Sequence, residues 1–189
     1  MTDVAEKPPP NGIIKSTKDL STQKIICKTP DRELAVYPRW IVFHSETNFK
    51  DPLFVKFFIE NRDKFPVIFT IKAKQKIFRL GGPSCGFLKP GERRTLKLFL
   101  LGFDDWPLGI NDYSQKRLKL AVENLRIPSC IQPENEMESI SIAKNIWKKS
   151  MTEWPLERLY TKINVGIHRG TESSSTSTST GLTQATQKS

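Results

Sequence analysis

A chain of 189 residues is long enough for one domain that buries a real core without disulfide staples, and three widely spaced cysteines, Cys27, Cys85 and Cys130, give neither a disulfide framework nor metal-ligand spacing. Hydrophobic residues make up 37% and are sparse near both ends, which concentrates core-forming material in the middle. The net charge of +10 favours acidic partners of any chemistry, while the lack of long apolar runs predicts neither a membrane span nor a secretory leader and points to a reducing, cytoplasmic setting.

Residues 1–28 mix Pro8, Pro9 and Pro10 with Lys, Ser and Thr and hold no period of two or 3.6, so a flexible arm is expected. Strands follow at 34–36 and 40–43, separated by Tyr37 and Pro38; a proline belongs at a strand edge or break, so the chain is expected to switch sheets there. In the next strand Leu53, Val55, Phe57 and Ile59 point one way and Phe54, Lys56, Phe58 and Glu60 the other. The same alternation marks strands at 67–72, 95–100, 117–123 and 158–165. Turn signals at 61–64, 81–83, 89–91, 104–111 and 127–133 separate them. About seven strands at this spacing predict an all-β, two-sheet antiparallel sandwich. One helix is expected over 138–150, where Ile142 and Ile146, and Ala143 and Trp147, sit four apart. Residues 166–189, rich in Ser and Thr, cannot bury enough apolar area to offset the entropy of ordering and are expected to be disordered.

The chemistry-bearing residues are few. His44 and His168 have no catalytic neighbours in sequence, Cys85 beside a corner glycine fits a buried core thiol, and no nucleotide, metal or hydrolase motif is present. A non-enzymatic protein with no catalytic residue, cofactor or metal is expected. Lys72, Lys74 and Lys76 repeat with period two, as do Arg117 and Lys119, and the two rows form either one basic groove or a solvated sheet face. Phe54, Phe58 and Phe99 fall on the polar side of their strands, which means packing beneath loops or an exposed association patch. Nucleic-acid binding ranks last, because the basic residues lack interleaved exposed aromatics in a recognised reading module, which leaves stacking and base readout unsupported, and no specific nucleic acid is expected as a partner.

The stretch 69–92 resembles a major sperm protein domain. The likeness is carried by Ile71 and Lys72 ending a strand, by the spaced residues Pro83, Cys85, Gly86 and Leu88, and by the turn at Pro90, Gly91 and Glu92. Trp40, Ile41, Val42 and Phe43 match the family's early strand, and 115–124 and 143–165 match its later part, so the resemblance covers about 29–165. It implies an immunoglobulin-like, seven-stranded sandwich that acts by protein association, as a cytoskeletal or filament-associated component in the cytoplasm of crawling nematode sperm. Partners would be a second copy, other members of the family, or acidic proteins. Candidate contacts are the first strand pair, 34–43, and the strand 53–61 with Phe54 and Phe58 outward. In the related domains of vesicle-associated membrane-protein-associated proteins, the positions matching Lys72, Ala73, Lys74, Arg117 and Lys119 help form a groove for acidic peptides containing two phenylalanines. Here both hydroxyl groups of that groove are replaced, by Ala73 and Lys74, and Lys119 stands at an apolar position.

Overall fold

The computed structural model describes residues 12–21, 25, 27–152 and 158–170. In chain order a short helix α1 (Thr17–Ser21) precedes strands β1 (Ala35–Tyr37), β2 (Trp40–Ser45), β3 (Leu53–Glu60), β4 (Val67–Ala73), β5 (Phe78–Gly81), β6 (Cys85–Leu88) and β7 (Arg93–Leu100). A short helix α2 (Ile110–Ser114), strand β8 (Leu118–Arg126), the long helix α3 (Glu136–Thr152) and strand β9 (Leu159–Arg169) follow. The strands form two sheets, one ordered β1-β3-β7-β5 and the other β2-β9-β8-β4-β6. The predicted two-sheet sandwich is therefore observed, with β1 and β2 in different sheets on either side of the cis Tyr37–Pro38 bond.

The inward row of each strand meets between the sheets. Ile41, Phe43, Phe57, Ile59, Phe69, Leu96, Leu98, Leu120, Val122 and Ile163 are buried in this core. Each such side chain contributes about 1.5–3 kcal/mol by leaving water. Asn61 ties two turns together at one end of the sandwich: its buried amide donates to the carbonyls of Phe65, Leu88 and Lys89 at 2.9, 3.3 and 3.2 Å. Gly91, at φ +73°, lies in the partner turn and donates its N–H to the Asn61 carbonyl at 2.8 Å. That left-handed conformation suits glycine because no Cβ is present to clash.

The structure departs from the sequence expectations in four ways. Among the described residues there are nine strands rather than seven, since β5 and β6 were not expected. All four residues of β6 are buried, because α3 covers its outer side, so no alternation marks it. The sheets are also not wholly antiparallel: β2 runs parallel to β9, with Trp40 beside Asn164 and His44 beside His168. Residues 166–169, expected in the tail, belong to β9, because ladder pairing with Val42 through Ser45 is made by backbone and does not need apolar composition. The remainder of the expected tail, from 171, lies outside the described residues, as do 1–11 of the expected arm.

The fourth departure is a second core on the outside of the five-stranded sheet. Phe87, Ile68 and Leu125 form a row across β6, β4 and β8 on the outward side, and α3 buries them with Ile142, Ala143, Ile146 and Trp147. The expected inward pairs of the helix are thus its buried residues. Ile14, Leu20, Ile25 and Cys27 fill the rest of this core, so a flexible arm does not fit these positions. They are pegs spaced too irregularly to show a period, held by hydrogen bonds. Ile14 donates its N–H to Cys130 O and accepts from Gln132 N–H, both at 2.8 Å. Thr17 donates its N–H and hydroxyl to Glu138 Oε2 at 2.9 and 3.0 Å.

Candidate interaction surfaces

Three open surfaces remain once both cores are accounted for. The first is the part of the five-stranded sheet that α3 leaves uncovered. Lys72 on β4 and Lys119 on β8 both point outward and are diagonal neighbours, because Lys72 pairs with Ala121 and Ala73 with Leu120. Extending that register one step sets Lys74 opposite Lys119, and Arg117 lies one residue before β8; all four side chains are exposed. The two basic rows thus share one end of one face. The Lys72 ammonium is already engaged, donating to both carboxylate oxygens of Glu123 at 2.9 Å, with Arg158 Nη1 a further 3.9 Å from Glu123. Glu123 therefore offsets part of the charge that this face offers to an anion.

The second surface is the free edge of β2. Asn164 N–H donates to Arg39 O at 2.9 Å and Gly170 N–H to Ser45 O at 2.9 Å, so the odd-numbered residues of this strand bond to β9. In a strand the intervening residues then aim their N–H and C=O groups the other way. Trp40, Val42 and His44 do so, and β2 ends its sheet, so this ladder edge is open among the described residues. Trp40 is 63% exposed and Val42 45%. The strand 53–61, expected as an association surface through Phe54 and Phe58, is β3, which lies between β1 and β7, with β1 pairing only with residues 58–60. The exposure of Trp40 and Val42 was legible as the row opposite Ile41 and Phe43.

The third surface is the outward face of the four-stranded sheet. Phe54 on β3 lies directly opposite Phe99 on β7, with ring centroids 5.5 Å apart. Phe58 lies four residues along β3 and packs beside Tyr37 of β1 at 5.5 Å, so it does not join the Phe54 pair. Between the two aromatic pairs Lys56 stands opposite Lys97, and Arg79 and Arg93 flank them. Lys97 Nζ lies 5.1 Å from the Phe54 ring centre, and the Arg93 guanidinium 4.2 Å from that of Phe58. Glu60 is the carboxylate on this face; the Arg93 guanidinium beside it holds it below the usual carboxylate range, with desolvation opposing and Arg62 adding to the effect. Phe54 is 51% exposed and Tyr37 66%, and no helix among the described residues covers them. Gly81 on β5 makes room for this arrangement: an added Cβ would sit 2.5 Å from the Phe99 ring.

The thiols and imidazoles offer less. Burial pushes the Cys27 thiol up to about 12 and raises that of Cys85, which suits inert core cysteines. His44 and His168 are neighbours across the parallel pair, yet no group of three or more metal-capable side chains occurs among the described residues. No described helix is long and apolar enough to cross a membrane.

No family model matches the chain, and no curated protein does so. Among solved structures, WR4, an MSP family member of C. elegans, is similar at 12% identity and a TM-score of 0.47, covering 71% of this chain and 97% of that one. SSP-19, an MSP-domain-like protein of C. elegans, is similar at 13% identity and 0.47, covering 71% and 98%. The PapD-like domain 7 of human CEP192 is similar at 12% identity and 0.38, covering 90% and 99%.

Proposed function

We propose that this chain is a non-enzymatic protein-association module in which β2 of one molecule pairs with β2 of a second copy. The observation that carries the proposal is the open ladder edge at Trp40, Val42 and His44, with two exposed apolar side chains beside it. Open edges are templates for strand addition. A two-fold axis at Val42 would set Trp40 of one copy against His44 of the other and join two five-stranded sheets. The setting we propose, a cytoskeletal or filament-associated role in the cytoplasm of crawling nematode sperm, is what the sequence resemblance implies.

Sedimentation velocity of the full chain over a wide concentration range tests the pairing. Wild-type protein is expected to form dimers or larger linear species, and Val42→Lys, which sets two ammonium groups against each other across the axis, is expected to stay monomeric. A wild-type monomer at every concentration, or a dimer indifferent to Val42→Lys, overturns the pairing.

A second reading is favoured by the register that makes Lys72 and Lys119 diagonal neighbours on one face: this face would receive an acidic peptide. Reversal of both Lys72 and Arg117 to Glu should then abolish binding of an acidic, phenylalanine-containing peptide, and unchanged affinity would remove this reading.

A further inference from the structure

We infer that the outward face of the four-stranded sheet is a sequence-tolerant platform for single-stranded nucleic acid. This site is separate from the β2 edge and from the Lys72 face, since it lies on the other sheet.

The argument starts from what is unusual about the face. In a sandwich the outward row of each strand is normally polar, yet here the central strands β3 and β7 carry Phe54, Phe58 and Phe99 outward, with Tyr37 alongside on β1. Nothing among the described residues roofs them as α3 roofs the opposite sheet. Lys56 directly opposite Lys97 is also unfavourable for the sheet itself, since like charges face each other across the strands. Lys56, Arg79 and Lys97 have no carboxylate partner among the described residues, and Glu60 is already bonded to Arg93 at 3.0 Å and Arg62 at 3.4 Å. The face therefore holds surplus positive charge between two ring pairs, each with one exposed member, Phe54 and Tyr37, and one half-buried member, Phe99 and Phe58.

The spacing selects the occupant. Alternate residues along a strand are roughly 7 Å apart. The order along β3 and β7 is a ring pair at Phe54 and Phe99, a cation pair at Lys56 and Lys97, and a ring pair at Phe58 and Tyr37. A polymer that alternates flat bases with anionic phosphates can stack on the rings and meet the cations between them. A second copy of the chain is disfavoured, because two such faces would repel. An acidic protein would use the cations and leave the rings without a role. A membrane surface would also use rings and cations together, and the vesicle arm of the test separates it from nucleic acid.

The test is fluorescence anisotropy of a short labelled oligothymidylate with the full chain, at low and physiological salt, beside flotation with phosphatidylserine-containing vesicles. Saturable binding that weakens with salt is expected. Phe54→Ala should weaken it about tenfold, and Lys56→Glu with Lys97→Glu at least as much. Reversing Lys89 and Lys144, which are exposed elsewhere, should change it less than about twofold. Phe54 is half exposed, so its truncation is not expected to unfold the protein, and thermal melting of each variant checks this. Absence of oligonucleotide binding at low salt overturns the inference. So does insensitivity to Phe54→Ala, or equal loss from the two charge reversals, which would mark plain polyelectrolyte attraction. Phe54-dependent vesicle binding without oligonucleotide binding would assign the face to a membrane instead.

Discussion

Each sheet turns a row of large apolar side chains outward, and the two rows meet different fates. Phe87, Ile68 and Leu125 on the five-stranded sheet are buried beneath α3 and the segment around Ile14 and Leu20. Phe54, Phe99 and Phe58 on the four-stranded sheet have no such cover among the described residues and are threaded with Lys56, Lys97 and Arg79. An outward apolar row is thus not in itself a sign of binding. It becomes one when the fold supplies no lid and the neighbouring positions hold unpaired charge.

That contrast can be broken most sharply on the covered side. Ile142→Ala removes a side chain that is fully buried in the second core and should lower unfolding stability by about 2–5 kcal/mol in urea denaturation. A loss below about 1 kcal/mol would mean that α3 is not an integral part of the domain. Leu20→Ala should cost roughly 1–3 kcal/mol, less than the helix position because the segment around it is short and its end can relax. If it costs nothing, the segment is not docked in solution. Phe54→Ala, on the uncovered side, should change stability by no more than about 0.5 kcal/mol. A larger cost would make Phe54 a structural residue and remove the contrast.

The strand rows were legible wherever one face is core and the other solvent. Leu96, Leu98 and Leu100 against Thr95, Lys97 and Phe99 is such a case, as is the break at Pro38. Strand β6 was not legible, because burial on both sides erases the period that sequence reasoning uses. The docking of Ile14 and Leu20 was missed for a related reason: isolated pegs carry no period, and the hydrogen bonds of Ile14 to Cys130 and Gln132 are made by backbone. At the candidate sites, the outward direction of Phe54, Phe58 and Phe99 could be read from alternation, but their adjacency could not. Register decides that Phe99 meets Phe54 while Phe58 meets Tyr37, and that cations fall between the two pairs. The same register places Glu123 within reach of Lys72, which alternation showed only as two residues on similar faces of separate strands.

The parallel pairing of β2 with β9 has a consequence for biosynthesis. An early strand of the sandwich finds its sheet neighbour among the described residues only when β9 has been made, since Trp40 lies beside Asn164 and Ser45 beside Arg169. Until then both borders of the emerging β2 are open, one reserved for β9 and the other without a partner strand among the described residues. On a polysome, where nascent copies crowd together, either border is open to the wrong chain, and exchange of the final strand between neighbours is a characteristic failure of such incomplete folds. A ribosome that stops short of β9 would release a product whose five-stranded sheet lacks the strand joining β2 to β8.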